Sequence, residues 1–217
     1  MKKITFLLLL ISLFSCKDGK QKYEYNDGTE KNQSSSNIIK EINIGGIDKW
    51  ELRGVKLIDI DSTYLNNKIF KMKVVDHEES YAFAAINNIK LAYTGGRYRI
   101  SMIVKPSKEN ENYGIRIQEV YPSRFDAVFD LDNEVVRGTY QKGDFIEKNK
   151  IEVEPIDNGW YKCMIDTYIY ASYFRLVFGP TNVPKDQTKS WESELLNNSN
   201  REILILPNSI RIEELEH

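Results

Sequence analysis

Chemistry has few footholds in this chain. It carries two histidines, His77 and His217, and two cysteines, Cys16 and Cys163. A thiolate nucleophile wants a base beside it, and those two imidazoles are all that is on offer. There is no Gly-x-Ser-x-Gly, no His-Glu-x-x-His and no phosphate loop. His77 lies in Val75-Asp76-His77-Glu78-Glu79, which reads as an acidic surface turn. Asp130-Leu131-Asp132-Asn133-Glu134 places oxygen ligands at alternate positions, as calcium loops do. Its sixth place is Val135 where a calcium loop needs glycine, so a strand-end turn is the simpler reading. Acids are plentiful, but a glycosidase pair is a separation in space, which spacing in sequence does not show.

Recognition chemistry has more material. Where apolar residues alternate, the residues between them face the other way. Tyr98, Ile100, Met102 and Val104 read as core, and Arg99 opposes them. Ile115 and Ile117 read as core, and Arg116 and Gln118 oppose them. Tyr161, Cys163 and Ile165 read as core, and Trp160 and Lys162 oppose them. Phe174, Leu176 and Phe178 read as core, and Tyr173 and Arg175 oppose them. If these strands share a sheet, its outer face collects Arg, Gln, Lys, Tyr and Trp. That mixture suits sugar: aromatic faces stack on the C–H side of a ring, and guanidinium or amide groups bond hydroxyls and carboxylates. Trp191, in the long segment after Thr181, joins the set either as a loop aromatic that grips ligand or as a plug on the sandwich end. The plain alternative for the strand residues is a solvated outer face, and for Trp160 a cover over a sheet edge. Trp50 reads as core.

The elements that must position these residues are strands. Asn158-Gly159 is a tight-turn dipeptide, since both residues tolerate positive φ. Ile151 to Glu154 alternates before it and Trp160 to Asp166 runs on after it, so the pair is a hairpin. Further strands are expected at 55–60, 69–75, 89–93, 98–105, 114–121, 125–131, 135–139, 173–178, 203–206 and 210–213. Many short strands with turn residues between them predict an all-β sandwich. One helix is expected over Asp186 to Leu196, where Trp191 and Leu195 stand four apart.

Several of these stretches carry a resemblance. "IEVEPIDNGWYKCMID" resembles the strand, Asn-Gly-Trp-Tyr-Arg turn and second strand of jelly-roll sandwiches similar to carbohydrate-binding modules, with Lys162 where Arg is usual. "GGRYRISMIVKPS" is similar to that family's Tyr-x-x-Ser-x-x-Val-Lys strand, at Tyr98, Ser101, Val104 and Lys105. "FDAVFDLDNEVV" and "ILILPNSIRIEE" resemble two later strands, over a span of about residues 90 to 214. The resemblance implies a jelly-roll β-sandwich that binds glycan without catalysis, and it allows a structural calcium held by scattered ligands.

The start of the chain resembles an export signal. Lys2 and Lys3 precede the apolar run Ile4 to Ile11, which is short for a bilayer span. Leu13-Phe14-Ser15-Cys16 is similar to the lipobox of bacterial lipoproteins, in which Cys16 becomes the acylated first residue and carries palmitate-type chains. Residues 1–15 then form the signal peptide and 16–40 a polar tether from the lipidated cysteine. Residues 41–217 form the sandwich. Lys17-Asp18 resembles the surface-export signal of Bacteroidota lipoproteins, which implies the cell-surface side of the outer membrane. Asp61-Ser62-Thr63 resembles a short O-glycosylation motif and equally suits a plain turn.

Cleavage before Cys16 leaves Cys163 as a lone thiol, so the fold has no internal disulfide; its alternation with Tyr161 and Ile165 makes it a small buried hydrophobe. Net charge is −2, or −4 once Lys2 and Lys3 leave (28 basic against 32 acidic residues). Basic residues are scattered singly, which excludes the basic stripe that nucleic acid wants. The composition, 41% hydrophobic and 12% aromatic, supports a sizeable core. The reading is an envelope lipoprotein with a non-catalytic glycan-binding sandwich. A structural or assembly subunit of a surface protein complex is the alternative, and a glycan-cleaving enzyme is third.

Overall fold

Alternation builds this molecule, and it decides which side of each strand meets the core. The computed structural model describes residues 38–75, 80–109, 111–143, 145, 149–193 and 201–216. The expected signal peptide, Cys16, nearly all of the tether, His77 and His217 lie outside the described residues. Fourteen strands are described: β1 (Ile38–Glu41), β2 (Glu51–Arg53), β3 (Val55–Tyr64), β4 (Asn67–Val74), β5 (Phe83–Lys90), β6 (Gly96–Pro106), β7 (Asn112–Gln118), β8 (Arg124–Asp130), β9 (Val135–Lys142), β10 (Lys150–Pro155), β11 (Tyr161–Ile169), β12 (Tyr173–Thr181), β13 (Glu202–Ile205) and β14 (Arg211–Leu215).

They form an antiparallel jelly-roll sandwich. The first sheet runs β1-β14-β6-β13-β4-β3, with β11 on the other edge of β6 and β10 beyond it. The second runs β2-β5-β12-β7-β8-β9. Strands β13 and β14 follow one another along the same edge of β6, interrupted by a 3₁₀ turn at Pro207–Ser209. Ser209 fills the gap in the ladder: its Oγ accepts from the Ile103 N–H at 2.9 Å and donates to the Leu206 carbonyl at 2.7 Å.

The faces expected to be core are core. Ile100, Met102, Val104, Ile115, Ile117, Cys163, Ile165, Phe174, Leu176 and Phe178 are buried in one cluster between the sheets. Trp50 joins them edge-on to Phe178, ring centroids 5.0 Å apart. Burial pushes the Cys163 thiol pKa up, so that thiol stays protonated. The Asn158-Gly159 turn forms with φ of 53° and 74°, and the Trp160 N–H donates to the Asp157 carbonyl at 3.0 Å.

Three expectations need correction. The strand placed at 89–93 lies upstream as β5, whose start Phe83-Ala84-Ala85-Ile86 is an unbroken apolar run without the alternation that marks a half-buried strand. Its alanines fit there because the first half of β5 is covered on both faces, Ala84 by the core between the sheets and Ala85 by the cluster around Trp191. The helix expected over Asp186–Leu196 is a 3₁₀ helix at Lys185–Ser190, and residues 194–200 lie outside the described residues. Pairing also begins earlier than expected: β1 lies in residues expected to be tether, and it pairs with β14. Asp130–Glu134 is a strand-end turn, with Asp130 Oδ1 accepting from Asn133 at 3.1 Å and Oδ2 paired to Arg137 at 3.1 Å. Asp61 has a φ of 53° in a bulged part of β3.

Candidate functional site

Side chains that oppose one another across antiparallel strands form rows, and three rows cross the outer face of the second sheet. The first is a trough of glycine. Gly179 opposes Gly114, Gly114 opposes Val128, and Val128 opposes Gly138. A Cβ on Gly114 would fall inside the Trp191 ring, and one on Gly138 would collide with Thr188. The segment 182–193 therefore lies across this row as a strap, with Trp191 at 0% exposure among Phe83, Ala85, Val128, Val177 and Val183.

The second row, Val177–Arg116–Asp126–Tyr140, fastens the strap. Arg116 Nε donates to Asp126 Oδ1 at 2.6 Å, and its two Nη groups grip both oxygens of Glu192 at 2.6 and 2.7 Å. The Trp191 indole N–H donates to Asp126 Oδ1 at 3.2 Å, and Arg124 Nη2 donates to the Lys189 carbonyl at 2.6 Å. Buried charges persist only when paired and hydrogen-bonded, and this cluster pairs Arg116 and Arg124 with Asp126 and Glu192. Burial pushes Asp126 up to about 6, against the pull of Arg116 and Arg124.

The third row, Arg175–Gln118–Arg124–Lys142, is left uncovered. With its neighbours it forms an open cleft of about 620 Å³, lined by Glu51, Arg53, Asn87, Gln118, Arg124 and Arg175 among others. Tyr81 and Tyr121 stand at the cleft, 46% and 82% exposed. Glu51 is held from several sides: Arg53 Nε at 2.7 Å, Asn87 Nδ2 at 2.8 Å and Arg175 Nη2 at 2.9 Å. The Asn87 amide first, then the two guanidinium groups, keep its carboxyl below the usual range. Arg175 lies 5.2 Å from the Phe83 ring centroid and Arg124 lies 5.1 Å from that of Tyr140, so aromatic rings back both guanidiniums.

The eight expected ligand residues divide between two opposite outer faces. Arg116, Gln118, Tyr173, Arg175 and Trp191 belong to the second sheet. Arg99 and Lys162 are on the first sheet, where Arg99 Nε bonds Asp166 at 2.7 Å. Trp160, next to β11, is 3% exposed and stacks on Tyr64 at 4.9 Å, capping a small cluster with Ile69 and Leu206. Both Trp160 and Trp191 are thus structural, with no ring face open to a ligand, and Arg116 is consumed by its acids. The alternation Phe125-Ala127-Phe129 puts Arg124 on the same outer face, where it joins the cleft. Glu51 and Asn87 come from a three-residue strand and a bulged strand, which carry no periodic signal. Among the described residues no three His, Cys, Asp or Glu side chains gather to hold a metal.

No family model and no curated protein matches the chain. Among solved structures it is similar to the carbohydrate binding module of Cellvibrio mixtus lichenase 5A in complex with cellotriose. The TM-score is 0.38 and the identity 9%, over 83% of this chain and 99% of that one. At that level the likeness carries no argument about ligand, and the sandwich stands on its own strand pairing.

Proposed function

We propose that the protein is an envelope lipoprotein that holds glycan, without cleaving it, in the cleft on the outer face of the second sheet. The observation that carries this is the make-up of the cleft. It sets two exposed tyrosines, Tyr81 and Tyr121, beside the Gln118 amide, which has no hydrogen-bond partner among the described residues, and beside aromatic-backed guanidiniums. Sugar rings need such stacking surfaces with planar donors and acceptors between them.

The acids support a non-catalytic role. Glycosidases need one acid and one base or nucleophile open to the scissile bond. Here Glu51 is tied to Arg53, Asn87 and Arg175, and Glu192 to Arg116. Asp126 has the raised pKa of a general acid but is fully buried behind Arg116 and Trp191.

A glycan panel on the purified chain tests this reading. Tyr121→Ala and Gln118→Ala are expected to weaken a hit by about tenfold each, the scale of one stacking or charge-free polar contact at a binding surface, with an unchanged melting curve. Trp160→Ala serves as the control: it costs about 3–5 kcal/mol of stability and leaves affinity unchanged at a temperature where the variant is folded. A blank panel from folded protein moves the reading to a subunit that contacts other surface proteins.

A further inference from the structure

We propose that the glycan held in this cleft is acidic, carrying uronate carboxylates or sulfate esters, and that it lies across the strands along the row Arg175–Gln118–Arg124–Lys142. This rests on the glycan reading above. Three of the four side chains in that row are cations and none is an acid. Neighbouring strands are about 4.8 Å apart, so Arg175 and Arg124 are about 10 Å apart with Gln118 between them, and Lys142 continues the line. A linear polymer that carries anions along its length can set them against these cations; a neutral one offers no charged partner to the exposed Lys142 or to the N–H groups of Arg175 that Glu51 leaves over.

The nearby acids do not cancel this. Around the cleft, Arg53, Arg116, Arg124, Arg175 and Lys142 stand against Glu51, Asp126 and Glu192, which is +2 locally in a chain of net −2. Those three acids are already taken by guanidinium groups within the fold. Arg175 spends one N–H on Glu51; its Nε is buried, and its remaining N–H groups have no partner among the described residues. Phe83 behind it holds the guanidinium plane, so its edge is ready for a two-pronged contact with a carboxylate or sulfate. At the other end Lys142 Nζ lies 5.9 Å from the Tyr121 ring centroid, which puts a charge beside an exposed stacking surface.

The test uses the full-length chain in detergent and matched polymers: polygalacturonate against its carboxyl-reduced form, dextran sulfate against dextran, and a panel of neutral glycans. Binding to an acidic polymer that falls at least about tenfold with its neutral counterpart, weakens with added salt, and falls again in Arg175→Gln and Lys142→Gln supports the inference. Lys142 is exposed, and Arg175→Gln gives up the Arg175–Glu51 pair but leaves Glu51 bonded to Arg53 and Asn87, so a melting curve of each variant accompanies the binding assay. Equal binding to acidic and neutral forms, or acidic binding that both variants retain in full, overturns the inference and leaves the glycan reading standing. Absence of binding to every polymer, acidic and neutral, overturns both.

Discussion

Asp126 is a carboxyl whose ionisation the fold moves into the mildly acidic range. Removal from water pushes its carboxyl from an ordinary 3.8 up to about 6, although Arg116 and Arg124 pull the other way. The folded state therefore holds this proton more tightly than the unfolded chain does. Between about pH 4 and pH 6 the unfolded chain has lost the proton and the folded one retains it, so this group's stabilising contribution is complete below about pH 4 and is lost as pH rises through 6. The ceiling is roughly 3 kcal/mol, since one pKa unit is worth about 1.4 kcal/mol. Denaturant unfolding across that pH range, in the parent and in Asp126→Asn, isolates the contribution: the parent loses stability relative to the variant as pH rises. A difference that stays flat with pH would show the carboxylate ionised throughout. At this scale the sequence was half legible. Alternation put Arg116, Gln118 and Arg175 on an outer face, but it could not say that two buried acids would claim Arg116, or that Trp160 would lie flat on Tyr64 from the far end of β3. Those are contacts between residues distant in the chain.

Among elements, the strap decides how much of the outer face a ligand can reach. Its seat is made by absent side chains: Gly179, Gly114 and Gly138 lie in one row across four strands, broken only by Val128 on β8, and the indole of Trp191 occupies the space above Gly114. Gly114→Ala must displace that ring, together with the Trp191–Asp126 bond and the Arg116–Glu192 pair behind it. Overpacking of this kind costs about 1–3 kcal/mol. The expected outcome is a lower denaturant midpoint by circular dichroism for Gly114→Ala, with no such change from an alanine placed at exposed Lys56. An unchanged midpoint would mean that the strap moves freely off the sheet. The strap was the least legible element. Trp191 and Leu195 have helical spacing, yet the segment follows Pro184 and closes with short-range turns such as Thr188 Oγ1 to the Lys185 carbonyl at 2.8 Å. What holds it is the sheet beneath, which local sequence does not describe.

For the whole molecule, the positions of most strands along the chain were readable because a sandwich buries one face of each strand, and that burden writes a period of two into the chain. Failures cluster where the period is absent: the first half of β5, covered on both faces over Phe83–Ile86, and the short strands β1 and β2, held in place by β14 and β5. The division of the outward residues between two sheets was also illegible, since alternation marks a face without saying which sheet owns it. The proposal that the sandwich hangs from a membrane belongs to this scale. Cells fed labelled palmitate are expected to yield a labelled chain in the membrane fraction, and Cys16→Ser to lose both the label and the sedimentation; a Cys16→Ser chain that still sediments with membranes contradicts the anchor. The burial of all three tryptophans has a further consequence. Trp50 lies in the central core, Trp160 beneath Tyr64, and Trp191 behind the cleft wall, 6.0 Å from the Arg116 guanidinium. Native emission thus comes from indoles shielded from water, and only Trp191 adjoins both the ligand face and a titrating acid. If glycan enters the cleft as proposed, the emission of Trp191 is expected to respond, while Trp50 and Trp160 supply a constant background.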